Sequence, residues 1–250
     1  MTGWRLAHIF RHPIKAHGRQ ELPGVTLETG RCLPHDRAWA VAHEAARLVE
    51  GWNPCMNFTR GAKTPALQAI NAEYDEGAGR ITLTHPLRDA ISFDPDSADG
   101  QAAFLNWVAP LMAGGRAQPA RLVSAGRGMT DTDYESVSLL NLSSLRALSQ
   151  RAGRELGLAR WRGNLWLDGL APWEEFDLIG REIRIGAARL EIRERITRCR
   201  ATMVDCTTGR IDLDTLELLE TAYEHTDFGV YAVVTQPGPI RAGDKVEIVQ

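Results

Sequence analysis

The segment RITRCRATMVDCTTGRID, residues 195–212, runs from a predicted strand into a turn and carries two cysteines. Cys199 lies between Arg198 and Arg200, and Cys206 follows seven positions later. Cationic neighbours favour the thiolate, which is the form of cysteine that attacks electrophiles and binds soft metals. A small buried cysteine on a strand with arginines on its other face explains the same residues, because free cysteine is often buried. Both interpretations stay open on this segment alone.

The composition is that of an ordinary globular chain. Its 250 residues are 44% hydrophobic and 24% charged, enough for one large domain or two small ones. The net charge of -3 gives no overall attraction to nucleic acid or anionic membranes, and we expect neither partner. No apolar run approaches the ~20 residues of a membrane helix, and the N-terminal segment lacks the apolar core of a secretory signal. We therefore expect a cytoplasmic protein without a membrane span.

The four cysteines, Cys32, Cys55, Cys199 and Cys206, do not follow the spacing of a zinc ribbon or zinc finger. They also lack the C-x4-C-x2-C spacing of a plant-type iron–sulfur domain, so we expect no iron–sulfur cluster in this chain. A chain of this size without a secretory signal does not need disulfides, and we expect free thiols.

Many short segments carry strand-favouring residues and are separated by turn residues, whereas few show helical spacing. Pro110 is expected to shorten or kink the first predicted helix, and Ser143 or Ser144 to cap the second. The predicted strands and helices do not alternate regularly, which argues against a doubly wound parallel sheet and favours a β-rich α+β fold with barrel-like sheets. The predicted strands are 37–43, 66–74, 80–84, 90–94, 164–168, 182–196, 230–234 and 244–249, and the predicted helices are 100–115, 141–157 and 211–225.

A series of fragments, in a fixed order, carries a resemblance that covers nearly the whole chain. They are FRHPIKAHGRQEL with GRCLPHDRAWAV, SVSLLNLSSLRAL, RWRGNLWLDG, PWEEFDLIGREIRIG, ITRCRATMVDCTTGRID, DFGVYAVV and PGPIRAGDKVEI. In this order they resemble MOSC proteins, a family named for the C-terminal domain of molybdenum cofactor sulfurase. The branch resembled most contains the mitochondrial amidoxime-reducing component and its bacterial relatives. The resemblance implies a β-barrel-like N-terminal region, residues 1–120, and a β-barrel MOSC domain, residues 121–250.

The resemblance also implies a bound molybdenum cofactor, a pterin with a dithiolene that holds the metal and a terminal phosphate. Cys199 matches the metal-ligating cysteine of the family, and a soft thiolate suits a metal already held by sulfur. Asp205 is a candidate for positioning a substrate or proton, although a turn-capping role explains it equally well. The other matches to cofactor-contacting residues of the family are Lys15, Arg37, Arg162, Asn164, Thr197, Arg198 and Tyr231.

Three residues depart from the family pattern. Ala16 replaces a serine whose hydroxyl would contact the cofactor phosphate, and Gly163 replaces the usual proline of an R-P-N motif. Cys206 stands where close relatives have proline, which favours an incidental residue over a resolving cysteine for redox chemistry. The effect of Ala16 and Gly163 on cofactor binding stays open.

The activity implied by the resemblance is the molybdenum-dependent reduction of small N-hydroxylated compounds such as amidoximes and hydroxylamines. Because the sequence supplies no second redox centre, we expect electrons from an external donor protein of the ferredoxin or cytochrome type, with its reductase. Two alternatives stay open. One is a sulfur carrier with a persulfide on Cys199, and the other is a protein that binds the cofactor and transfers it.

Overall fold

A computed structural model describes residues 3–112 and 118–249. The helices within these ranges are α1 (Ala98–Val108), α2 (Leu142–Ala152) and α3 (Thr215–Tyr223). The strands there are β1 (Arg5–Arg11), β2 (Gln20–Leu22), β3 (Gly24–Leu27), β4 (Trp39–His43), β5 (Asn71–Asp75), β6 (Arg80–His85), β7 (Arg88–Phe93), β8 (Pro119–Ser124), β9 (Val137–Asn141), β10 (Leu165–Asp168), β11 (Glu182–Ile185), β12 (Ala188–Thr197), β13 (Val204–Asp205), β14 (Arg210–Ile211), β15 (Asp227–Gln236), β16 (Gly238–Arg241) and β17 (Val246–Ile248). The fold is therefore α+β and β-rich, which confirms the predicted class.

One eight-stranded sheet forms the centre of the molecule, in the order β17-β11-β12-β15-β9-β10-β1-β2. Its neighbouring strands are antiparallel except β9 and β10, which run parallel. Because side chains alternate across a strand, Leu165 and Leu167 of β10 join the main core, while Trp166 between them joins a second core with Phe228. That second core also includes Leu148 of α2, so the helix covers one face of the sheet.

A smaller layer is built from residues of the N-terminal half. Strands β4 and β8 form one sheet, and β5, β6 and β7 form another. Helix α1 contacts β7 and β8, and its Phe104 stacks on Phe93 of β7 with ring centroids 5.0 Å apart. Trp39 of β4 belongs to the same buried cluster, which gives this layer a core of its own.

The first strands of the chain pair with strands from its second half. β1 lies beside β10 in the large sheet, and β3 pairs with β16. Residues on both sides of position 120 therefore share sheets, and the boundary between 1–120 and 121–250 stays a prediction. No helix in the described ranges is long and apolar enough to cross a membrane.

Three of the predicted strands need correction. Residues 66–70 belong largely to a 3-10 helix, Pro65–Ala69, and the strand begins only at Asn71. The strand predicted from residue 37 begins at Trp39, because Arg37 has a φ of 52° and cannot extend it. Residues 182–196 form two strands, β11 and β12, joined by a turn at Gly186 with a φ of 55°.

The helix boundaries follow local chemistry. α1 ends at Val108 and passes into a 3-10 turn that contains Pro110, as the sequence predicts, while residues 113–115 of that prediction lie outside the described residues. The cap of α2 is not Ser143 or Ser144, because the side chain of Asn141 accepts from the Ser143 amide at 2.8 Å. Ser144 is fully buried and donates to the Glu175 carboxylate instead.

Candidate functional site

Cys199 lies where β12 ends and a 3-10 turn, Arg200–Met203, begins. The amide of Arg198 donates to the carbonyl of Thr226 at 2.9 Å, which keeps the chain against its partner segment up to the cysteine. Beyond it, the amide and the hydroxyl of Thr202 both donate to the Cys199 carbonyl, at 3.1 and 3.0 Å. The backbone is therefore fixed on both sides of an exposed thiol.

The Cys199 thiol faces a cleft of about 310 Å³, which we call the Cys199 cleft. Residues of both halves of the chain line it. All of the predicted site residues except Asn164 and Asp205 are among them, namely Lys15, Arg37, Arg162, Thr197, Arg198, Cys199 and Tyr231. The structure thus brings together side chains that lie far apart in the sequence.

Three backbone segments of the cleft adopt the left-handed region that non-glycine residues rarely occupy. The φ values are 65° at Ala16, 52° at Arg37 and 48° at Arg162. The two arginines are linked, since Nη2 of Arg37 donates to the Arg162 carbonyl at 3.0 Å and Nη1 of Arg162 donates to the Gly18 carbonyl at 3.1 Å. Such conformations cost free energy and cluster at functional sites.

A buried acid supports Arg37 from behind. The Asp36 carboxylate pairs with the Arg37 guanidinium and accepts from the amide of His12 at 2.7 Å. Burial raises the pKa of Asp36, but Arg37 and His12 outweigh burial and hold that pKa well below its usual range. Burial and the nearby Arg162 and Arg37 lower the pKa of His12 to about 3, so its ring is neutral at pH 7. Asp36 therefore carries a full charge opposite Arg37.

Lys15 reaches the cleft as a buried cation. Its Nζ donates to the Met129 carbonyl at 2.7 Å and to Oδ1 of Asp131 at 2.6 Å. Burial raises the pKa of the Asp131 carboxyl, but the Lys15 ammonium outweighs burial and holds that pKa below its ordinary value. Asp131 is the only acid among the described residues that line the cleft.

Two further cations of the cleft, Arg162 and Arg198, lie where burial disfavours their charged form. Burial and the neighbouring Arg37 lower the pKa of Arg162 to about 9, and burial lowers the pKa of Arg198 to about 10. Nη2 of Arg162 is buried and has no hydrogen-bond partner among the described residues. An anion in the cleft would offset both costs, because it supplies opposite charge and an acceptor.

Tyr231 and Thr197 also line the cleft, but their polar groups differ in availability. Burial and the Asp131 carboxylate raise the pKa of Tyr231 to about 12, so its hydroxyl stays protonated at neutral pH. The Thr197 hydroxyl already donates to Oδ1 of Asp227 at 2.7 Å. Tyr231 can therefore donate to a ligand directly, whereas Thr197 contributes chiefly its place beside the cysteine.

Two predicted residues lie outside the cleft lining. Asn164 is buried, accepts from the Ser138 hydroxyl at 2.8 Å and donates to the Phe10 carbonyl at 3.1 Å. It thereby ties together three strands of the large sheet. Asp205 accepts from the amide of Thr207 at 2.7 Å, which is the turn-capping role that the sequence left open. Cys206 is half-buried, and burial raises the pKa of its thiol.

Several residues that sequence reasoning missed also line the cleft: Cys55, Arg60, Gln68, Asp131 and Arg160. Nη1 of Arg160 donates to the Thr202 carbonyl at 3.1 Å, and its guanidinium pairs with Asp212, so it supports the turn after Cys199. The R-x-R-G-N spacing around Arg162 was the one signal that could have indicated Arg160. The other four lie on segments without a recognisable motif.

The residues that line the cleft favour an anionic ligand. The cleft is lined by the cations Lys15, Arg37, Arg60, Arg160, Arg162 and Arg198, against one carboxylate. Within residues 3–112 and 118–249, no three His, Cys, Asp or Glu side chains converge to hold a metal.

These features define the class of the protein as a β-rich chain with a cationic cleft around one exposed cysteine. The family model for the MOSC N-terminal beta barrel domain matches residues 3–116, and the model for the MOSC domain matches residues 127–247. The chain belongs to the MOSC family. Its fold is accordingly a β-barrel-like N-terminal part followed by a MOSC domain, as the resemblance predicted.

Two curated relatives are similar in sequence. A protein named molybdenum cofactor sulfurase 2, from Aedes aegypti, is 22% identical over 254 residues, which cover 94% of this chain and 31% of that protein. Mitochondrial amidoxime-reducing component 1 of Xenopus laevis is 32% identical over 126 residues, 46% of this chain and 36% of that protein. The chain spans about a third of the length of these relatives.

Solved structures give weaker similarities. The YUAD protein of Bacillus subtilis is 11% identical, with 98% of this chain and 95% of that chain covered and a TM-score of 0.45. YiiM of Geobacillus stearothermophilus is 18% identical, with 46% and 54% covered and a TM-score of 0.36.

Proposed function

We propose that this protein binds a molybdenum cofactor in the Cys199 cleft and reduces N-hydroxylated compounds with electrons from a separate protein. The observation that carries the proposal is the enclosure of one exposed thiol by six cationic side chains, of which Arg60, Arg162 and Arg198 have no acidic partner among the described residues. The relative named as an amidoxime-reducing component supports this choice of substrate.

The residues present fit such a cofactor. Lys15, Arg37 and Arg162 offer cationic donors to its phosphate, and Nη2 of Arg162 is a buried donor without a partner in the described chain. Cys199 offers a thiolate to the metal. A thiol loses its proton when it coordinates a metal, and the resulting thiolate is a soft ligand. Arg198 is fixed beside the cysteine by Nη1, which donates to the Trp161 carbonyl at 2.9 Å.

The chain's own contribution to the reaction is binding, orientation and hydrogen bonding. When bound, the cofactor supplies a two-electron redox centre for the conversion of an N-hydroxyl group, with two protons, to N–H and water. Thr202 and Arg160 hold the turn that carries Cys199. The protonated Tyr231 hydroxyl can donate a hydrogen bond to an oxygen in the cleft.

The electron donor is proposed to be a separate ferredoxin- or cytochrome-type protein. The sequence contains neither the cysteine spacing of an iron–sulfur domain nor a G-x-G-x-x-G nucleotide fingerprint. We accordingly expect the loaded protein to turn over with a reduced viologen and to stay inactive with NADH or NADPH alone.

A second candidate is a sulfur carrier with a persulfide on Cys199. The relative named molybdenum cofactor sulfurase 2, whose similarity covers 94% of this chain, favours it, as does the exposure of the thiol. Protein purified without cofactor and incubated with a persulfide donor would then take over one sulfane sulfur atom on Cys199, as the S–S bond of the donor breaks and releases the donor thiol, and would pass that sulfur to an acceptor thiol.

One assay distinguishes the two. Cofactor-loaded protein is supplied with reduced viologen and a panel of amidoximes and hydroxylamines, and loss of the N-hydroxyl group is followed by chromatography. We expect reduction by the wild type and the Cys206→Ser variant, and none by Cys199→Ser. If loaded protein stays inactive with every electron donor but transfers persulfide sulfur, the reductase proposal is wrong and the sulfur carrier takes its place.

A further inference from the structure

Arg60 differs from every other cation of the Cys199 cleft in what its side chain binds. The others each donate to at least one protein oxygen: Lys15, Arg37, Arg160, Arg162 and Arg198. Within the described parts of the chain, the only side-chain hydrogen bond of Arg60 runs from Nη1 to Sγ of Cys55 at 3.5 Å. A thiol sulfur is a weak acceptor. Most of the donors of this half-buried guanidinium are therefore left for a ligand.

The backbone holds Arg60 firmly on the connection between β4 and β5. Its carbonyl accepts from the amide of Lys63 at 3.0 Å and from the amide of Thr64 at 2.9 Å. The same connection carries Gln68, whose Nε2 donates to the Ala201 carbonyl at 3.0 Å, two residues after Cys199. This bond ties the wall that carries Arg60 to the turn that carries the thiol.

The neighbours of Arg60 leave its charge uncompensated. Asp131, the single acid among the described lining residues, is paired with Lys15. Gly61 and Ala62 follow Arg60 in the lining and present little side-chain bulk. A Cβ atom at Gly61 would come within 2.8 Å of the Gln68 side chain, so a larger residue at this position would displace Gln68.

We propose that Arg60 forms a subsite for a carboxylate on the substrate, so that the cleft favours anionic N-hydroxylated compounds over neutral ones. The guanidinium fork matches a carboxylate in geometry and charge. Four other cations of the cleft lining, Lys15, Arg37, Arg162 and Arg198, remain for the cofactor. The inference rests on the proposed function, because it names the substrate class of the same site.

The test compares 4-carboxybenzamidoxime with benzamidoxime, two compounds that differ by one carboxylate. We expect cofactor-loaded wild type to show a higher kcat/KM for 4-carboxybenzamidoxime than for benzamidoxime. Arg60→Gln should lower the kcat/KM for 4-carboxybenzamidoxime about tenfold and change that for neutral benzamidoxime by no more than about twofold. Arg60→Lys should retain part of the preference. Arg47→Gln, on the same β4–β5 connection but exposed, is the matched control and should behave as the wild type.

Calorimetric titration of the same loaded proteins with both compounds separates this inference from the reductase proposal. Tighter wild-type binding of the carboxylate, lost in Arg60→Gln and weakened by added salt, supports the subsite even if neither compound is reduced. Equal binding of the two compounds by the wild type overturns it. A fall in molybdenum content in Arg60→Gln also overturns it, since Arg60 would then serve the cofactor.

Discussion

At the scale of single residues, the position of Cys199 is determined by hydrogen bonds to its backbone carbonyl. Thr202 donates to the Cys199 carbonyl through both amide and hydroxyl, and the same hydroxyl lies 2.6 Å from the hydroxyl of buried Thr215. Arg160 then binds the Thr202 carbonyl. The thiol makes no hydrogen bond within the described residues, whereas the backbone around it is held by these bonds.

The cations of the Cys199 cleft give a prediction about cofactor binding at the scale of one residue. Arg162→Ala removes a buried guanidinium that lines the cleft and has an unused donor among the described residues. Because a charge-assisted hydrogen bond contributes about 1.5–3 kcal/mol, the dissociation constant of the cofactor should rise about tenfold or more, and pterin content should fall in proportion when protein is loaded at a free cofactor concentration below that constant. Fluorescence of the oxidised pterin after acid release measures it.

The exposed Arg47→Ala serves as the control for this measurement and should keep the pterin content of the wild type. If Arg162→Ala keeps the pterin content and the thermal stability of the wild type, Arg162 does not contribute to cofactor binding.

At the scale of elements, the start of β10 depends on the absence of a side chain. A Cβ atom at Gly163 would lie 2.3 Å from Cδ1 of Leu140, a core residue of β9. The replacement of the family's proline by glycine therefore accompanies close packing of the Leu140 side chain against the backbone at position 163. The sequence alone indicated the replacement but not this contact.

We expect Gly163→Ala to lower the free energy of unfolding by about 1–3 kcal/mol, as overpacking of a core does. Gly157→Ala is the matched control, because a Cβ atom there meets nothing within 4 Å and its φ is -68°. Adding Leu140→Val to Gly163→Ala should recover part of the loss. Urea denaturation of the four proteins checks this, and equal stability of the two glycine variants would contradict it.

The elements also show why sequence reasoning succeeded in some places and failed in others. Strands such as β6 and β7 are local hairpins with clear turns, and their prediction is confirmed. β1 was not predicted, since its partner β10 lies more than 150 residues away and its own segment is crowded with basic residues. Asn141 was missed as a cap because Ser143 and Ser144 are equally good capping residues.

The candidate site divides in the same way. Lys15, Arg37 and Arg162 lie in motifs that the family resemblance could identify, and the structure brings them into one cleft. Arg60 and Asp131 lie on connections whose place is fixed only by long-range contacts, such as the Lys15–Asp131 pair. No local pattern in the sequence could predict them.

At the scale of the whole molecule, two buried histidines beside the cleft set a pH dependence of stability. Burial lowers the pKa of His12 to about 3 and that of His17 to about 4, both below the ordinary value of about 6.5. The unfolded chain therefore binds more protons than the folded chain between these values. The stabilisation is complete above about pH 6.5 and is lost as the pH falls toward 4 and below.

We therefore expect the free energy of unfolding of the wild type to fall by a few kcal/mol between pH 6.5 and 4, since one pKa unit corresponds to about 1.4 kcal/mol. His17→Gln should be less stable at pH 7, because the ring bonds the Lys15 carbonyl at 2.7 Å, but should show a shallower acid slope. Denaturant unfolding at several pH values measures both. The exposed His35→Gln should keep the wild-type slope, and a wild type insensitive to this range would contradict the assignment.

The most direct measurement of the central claim is the sulfur coordination of molybdenum in protein loaded with the cofactor. X-ray absorption at the molybdenum edge should show one sulfur neighbour fewer in Cys199→Ser than in the wild type, while Cys206→Ser should match the wild type. Pterin and molybdenum should be present in equal amounts in the wild type. Wild-type protein that takes up neither, or a sulfur count unchanged in Cys199→Ser, would contradict the account.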